Sequence, residues 1–98
     1  MHEGRLLPWS GDDGKPARVI GSGWLSNLAD EVEESQLAMS ERLVSISDAM
    51  LSDGQVPPAE IRYLAKQLTM ALTDTARVAR SRGERLPLSA DGDQDNDE

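Results

Sequence analysis

The sequence predicts an all-α fold, an antiparallel two-helix hairpin with an irregular N-terminal arm, dimerising into a four-helix bundle. Three observations predict it. Apolar residues recur at helical spacing over residues 25–51 and again over 61–79. A proline-containing connector, Gln55-Val56-Pro57-Pro58, separates the two stretches and makes them antiparallel neighbours. The C-terminal half of the first stretch is apolar over about half its circumference, more than one neighbouring helix covers. The chain therefore divides into an irregular arm or small hairpin (1–22), a helical hairpin (23–86) and an acidic tail (87–98).

The arm carries Gly4, Pro8, Gly11, Gly14, Pro16 and Gly21, a density of breakers that excludes a helix. Two short apolar pieces, 5–9 and 16–20, flank turn chemistry in Ser10-Gly11-Asp12-Asp13-Gly14-Lys15. A small irregular hairpin fits, with Pro8 and Pro16 limiting regular pairing. Leu6, Leu7, Trp9 and Ile20 are expected to cover one end of the helices, within the chain or swapped onto a second subunit. The Gly21-Ser22-Gly23 joint has no preceding buried strand and no Walker lysine, so it reads as the entry to the helix, with Ser22 or Ser26 as N-cap.

In the first helix Leu25, Leu28, Val32, Gln36, Met39, Leu43, Ile46 and Met50 fall on one arc. No proline or glycine interrupts residues 24–53, giving a helix ~40–45 Å long. Ser52-Asp53-Gly54 supplies a stop with a glycine for the C-cap. A second apolar line, Leu37, Val44 and Leu51, recurs every seventh residue at an offset of ~100°, with small Ala29, Ser40 and Ser47 between the lines. Met39, Leu43, Ile46 and Met50, together with Leu37, Val44 and Leu51, form the expected dimer interface.

The second helix opens at Pro58, well suited to a first turn. Its stripe runs Ile61, Leu64, Ala65, Leu68, Ala71, Leu72, Thr75, Val78 and Ala79. Gly83 and Pro87 stop it. Tyr63 and Met70, seven apart on the opposite face, have the character of a small docking patch or of ordinary exposed residues.

The net charge is −8 and unevenly placed. Residues 23–56 hold seven acids against Arg42, and residues 57–88 hold six bases against three acids. Asp30, Glu31, Glu33 and Glu34 lie near the start of the first helix; Arg77, Arg80, Arg82 and Arg85 lie near the end of the second. Both placements favour the helix dipoles. With the turn centred on Gly54–Gln55, the two clusters come side by side, which supports the hairpin register. The same residues, Asp30, Glu31 and Glu34 or Arg77, Arg80 and Arg82, are the candidates for a charged partner contact. Residues 89–98 carry five acids and no large apolar side chain, the composition of a disordered solubilising tail.

Chemistry-bearing patterns are sparse. There is no cysteine, hence no disulfide framework or thiolate metal site. The single histidine, His2, sits at the terminus with nothing to orient it as a catalytic base. No catalytic, cofactor or metal residue is assigned, and no cofactor is expected. No apolar run reaches the ~20 residues that span a bilayer, and the first residues lack a basic segment followed by an apolar one. A cytoplasmic protein without membrane contact is expected. Net acidity opposes nucleic-acid binding at long range.

The run Arg5-Leu6-Leu7-Pro8-Trp9-Ser10-Gly11, Gly14-Lys15-Pro16, then Ile61-Arg62-Tyr63-Leu64-Ala65 and Arg77-Val78-Ala79, resembles a group of small acidic proteins of Streptomyces and related actinobacteria. The resemblance spans most of residues 3–86. It implies a cytoplasmic bacterial protein encoded near regulators or mobile elements, and it carries no functional residues across. The expectation is a non-enzymatic, homodimeric helical interaction protein, an accessory to a bacterial regulator. The alternative is a nucleic-acid-linked role, as an acidic mimic that blocks a DNA-binding partner or through the basic end of the second helix.

Overall fold

The computed structural model describes residues 4–21 and 23–86. Its order is β1 (Arg5–Ser10), β2 (Pro16–Val19), α1 (Trp24–Ser52) and α2 (Pro58–Glu84). The helical hairpin is as expected, but the fold is not all-α. The N-terminal arm is a two-stranded antiparallel sheet. The expected acidic tail falls outside the described residues, as does Ser22.

The β-hairpin forms because its turn is locally satisfied. Gly11 N–H donates to Lys15 O at 2.8 Å and Gly14 N–H to Gly11 O at 2.9 Å. Asp13 Oδ1 accepts from Lys15 N at 3.0 Å, an Asx-type clasp, and Gly14 supplies a φ of 77°. Arg5 pairs with Val19, Leu6 with Arg18 and Ser10 with Pro16; the register is irregular between Leu6 and Ser10, where Pro8 has no N–H to contribute. Leu6, Leu7 and Pro8 are all buried, so alternation is absent. Ile20, by contrast, is exposed and covers no helix end.

Helix α1 starts at Gly23 rather than at a serine cap, and Ser26 lies inside the first turn. It ends where Asp53 turns extended (φ −98°, ψ 110°), and Asp53 Oδ1 accepts from Gln55 N at 2.9 Å. The stop is thus an aspartate turn and not a left-handed glycine at position 54. Pro58 opens α2 as expected, and α2 runs one residue past Gly83.

The helices meet along a line different from the expected one. In α1 only Ala29, Glu33 and Ser47 are buried; the large residues of the main stripe are half-buried or exposed. The seam is the small-residue line between the two apolar lines. It faces Leu64, Ala71 and Val78, which are buried at seven-residue spacing on α2. Small side chains let the backbones approach, so large neighbours on either side straddle the seam. Ser40 Oγ lies 2.6 Å from Thr75 Oγ1 and donates to Ala71 O at 3.4 Å. A turn centred on Gly54–Gln55 would have put Ser40 level with Thr69, so α2 is shifted by up to about two turns. Ser47 Oγ satisfies itself on Leu43 O at 2.6 Å.

Candidate functional site

Two structural features gather the polar and apolar candidates: a buried ionic clip at the open end of the helical hairpin, and two apolar grooves along its sides.

The clip is built around Glu33, whose side chain is 1 % exposed. Arg5 Nη2 lies 3.2 Å from Glu33 Oε2, an ion pair without hydrogen-bond alignment. Arg82 Nε and Arg85 Nη2 reach Glu33 Oε1 at 3.3 Å and 3.4 Å. Arg5 also pairs with Asp30 at 2.7 Å and donates to Ser26 O at 2.9 Å and Ser26 Oγ at 2.7 Å. Arg82 Nη2 holds Glu34 Oε2 at 2.8 Å. The cluster therefore contains three guanidiniums and three carboxylates, and its formal charge cancels. The hydrogen bond to Glu34, then that to Glu33, raises the Arg82 guanidinium above its ordinary value.

The same end binds the exposed edge of β1. Ser81 Oγ donates to Leu6 O at 2.7 Å, and Arg85 donates to Ser81 Oγ. Gln36 Nε2 and Arg77 Nη1 both donate to Pro8 O at 2.9 Å. Leu6 and Pro8 are two residues apart, so their carbonyls lie on one strand edge, and helix side chains satisfy both. Arg18 and Glu84 add a second strap at 2.8 Å, which raises the Arg18 guanidinium. These charges bind the β-hairpin to the helices.

The grooves hold the apolar candidates. On one side of the seam, Leu43, Ile46 and Met50 of α1 with Ala59, Tyr63 and Leu64 of α2 line a groove of ≈ 470 Å³. On the same side Leu28, Val32 and Met39 with Ala71 line a second depression of ≈ 350 Å³. On the other side Val44 with Leu68, Leu72 and Ser40 line a groove of ≈ 290 Å³. Leu51 and Leu72 are 71 % and 69 % exposed.

The expected interface residues are thus divided. Met39, Leu43, Ile46 and Met50 lie on one side, joined by Tyr63. Val44 lies on the other, on the heptad line it shares with Leu37 and Leu51. Of the charged candidates, Asp30, Glu34 and Arg82 are engaged in the clip. Arg77 is tied to Pro8, and together with Arg80 it borders a gap between β1 and α2. Glu31 borders the Leu28 depression, and Met70 stands exposed. Glu33, which holds the clip together, was legible only as one of four acids. Its place on the small-residue line was the available signal.

Among the described residues no group of three His, Cys, Asp or Glu side chains is arranged to hold a metal ion, and no helix is long and apolar enough to cross a membrane. No protein family, curated protein or solved structure matches the chain.

Proposed function

We propose that the chain is a non-enzymatic helical interaction protein that forms a homodimer through its Val44–Leu72 side, and that it acts as an accessory to a bacterial regulator. One observation carries this reading: α1 meets α2 along a line of small residues, so large apolar side chains remain uncovered beside the seam. Isolated two-helix units are rarely self-sufficient, and exposed apolar strips of this kind belong to protein contacts.

A two-fold axis parallel to the helices sets α1 of one subunit across α2 of the other, antiparallel and at the same height. The clip supports a non-enzymatic role, because its titratable groups neutralise one another.

Analytical ultracentrifugation of the full chain tests this. A dimer is expected that Leu72→Glu, at a side chain exposed in the single chain, converts to monomer. A wild-type monomer that still melts cooperatively would overturn the reading.

A further inference from the structure

The opposite side of the hairpin has the wrong electrostatics for a second copy. Its groove over Leu43, Ile46, Met50 and Tyr63 has Glu60 at the connector end. The adjoining depression has Glu31 on α1 and Asp74 on α2 at the other end. No lysine or arginine lines either. Neither Glu31 nor Glu60 has an ion-pair partner among the described residues, and Asp74 has only Arg77, at 4.0 Å. Glu60 and Asp74 are separated by about four turns of α2, ~20 Å along the axis.

Two occupants close at hand fail on this geometry. A second copy laid antiparallel on the groove sets its Glu60 end against Glu31 and Asp74, and a parallel copy sets each acid against itself. Either way like charges meet at both ends. Residues 89–98 of the chain carry five acids and no large apolar side chain, so they match neither the lining nor the rim.

We infer that this groove receives an amphipathic helix of another protein, with lysine or arginine near both ends of its apolar stripe, about four turns apart. Helix-in-groove recognition needs anchors at i, i+3/i+4 and i+7, and the Leu43/Ile46/Met50 ridge offers that spacing. Met39 and Met50 add side chains that adapt to different anchors. The inference does not depend on self-association, which uses the other side of the seam.

The test uses three labelled synthetic peptides and the full chain, read by fluorescence anisotropy. One peptide is an amphipathic helix with leucine anchors and lysine pairs at both ends. The second carries glutamate in place of the lysines. The third has the first peptide's composition in scrambled order. The lysine-ended helix is expected to bind at least about tenfold more tightly than either of the others, the glutamate peptide because its charges repel the rim and the scrambled one because its apolar stripe is lost. Its affinity should fall in 1 M salt, where the screening length is about 3 Å. Tyr63→Glu, at a side chain 66 % exposed, is expected to abolish binding while ultracentrifugation still shows the dimer. Reversing all three rim acids, Glu31→Lys, Glu60→Lys and Asp74→Lys, is expected to reverse the preference toward the glutamate peptide. Equal binding of the ordered and scrambled lysine peptides, no binding of any peptide, or amide shifts confined to Val44 and Leu72 would each overturn the inference. The peptide comparison needs no protein variant, so a variant that fails to fold does not blunt the test.

Discussion

Replacing Glu33 by glutamine isolates what the ionic clip contributes. The change keeps the shape and one acceptor oxygen but removes the carboxylate charge facing Arg5, Arg82 and Arg85. Deleting one member of a buried ion pair costs about 3–5 kcal/mol. Two features of the site lower that figure. Arg82 and Arg85 are 44 % and 32 % exposed, so water takes up part of their lost pairing. Asp30 and Glu34 also remain to hold Arg5 and Arg82. A loss of about 2–3 kcal/mol is the reasoned value for a charge removed from a site that keeps two of its three carboxylates. One kcal/mol moves the midpoint of a domain this size by about 4–8 °C, so the variant should melt about 10–20 °C lower. Urea unfolding followed by far-ultraviolet circular dichroism measures this, at one fixed protein concentration because subunit association adds to apparent stability. Arg42→Gln, at an exposed charge of the same helix that faces away from Val44, is the control and should stay within about 0.5 kcal/mol of the parent. A Glu33→Gln variant equally close to the parent would refute the view that Glu33 joins the β-hairpin to the helices.

Gly4→Ala strains a φ of 81° and drives a Cβ to 2.7 Å from Val19 O, so it should cost at least about 1–3 kcal/mol. Hydrogen exchange should show protection lost in β1 and β2 while the connector end of the helices keeps it. Ala29→Leu inserts bulk at a fully buried point of the seam, and unfolding should show a loss of about 1–3 kcal/mol. Arg82→Ala removes a guanidinium whose folded value is raised by Glu34 and Glu33. A raised value means that its contribution is full below the ordinary guanidinium range and is lost only as pH climbs through the higher folded value. The drop in melting temperature caused by Arg82→Ala should therefore be the same at about pH 7 and pH 11.

Much of this architecture is legible in the chain because helices announce themselves by spacing. The 3-4 rhythm from Leu25 to Met50, the uninterrupted run to Asp53 and Pro58 at the start of α2 locate both helices closely. The complementary charge clusters also predict that the open ends meet, and Arg82 does bridge to Glu33 and Glu34. The seam is less legible. Hydrophobic periodicity selects large residues, whereas helix approach is set by the smallest ones, here Ala29, Ser40 and Ser47. The β-hairpin is legible as turn chemistry between two short apolar pieces, but its strand faces are not: Leu6, Leu7 and Pro8 are buried in succession, which erases the alternation that marks a strand. Side chains distant in sequence, Gln36, Arg77 and Ser81, complete its edge. No local signal records them.

The clip and the grooves are mechanically connected. Both grooves are spaces between α1 and α2, so their widths depend on how the helices are held apart. The connector sets that spacing at one end. At the other it is set by Glu33, Arg5 and the carbonyls of Leu6 and Pro8. A preformed groove loses less conformational freedom on binding than one that must be assembled. The clip therefore need not touch a partner to influence it. If Glu33→Gln lets the open end of the helices move, affinity for the lysine-ended helix should fall with no contact residue changed. The loss should be greatest for contacts near Leu28 and Glu31, closest to the clip, and least near Glu60 at the connector. That gradient distinguishes a clip that preorganises the groove from one that only stabilises the fold, because loss of global stability alone would weaken all contacts together.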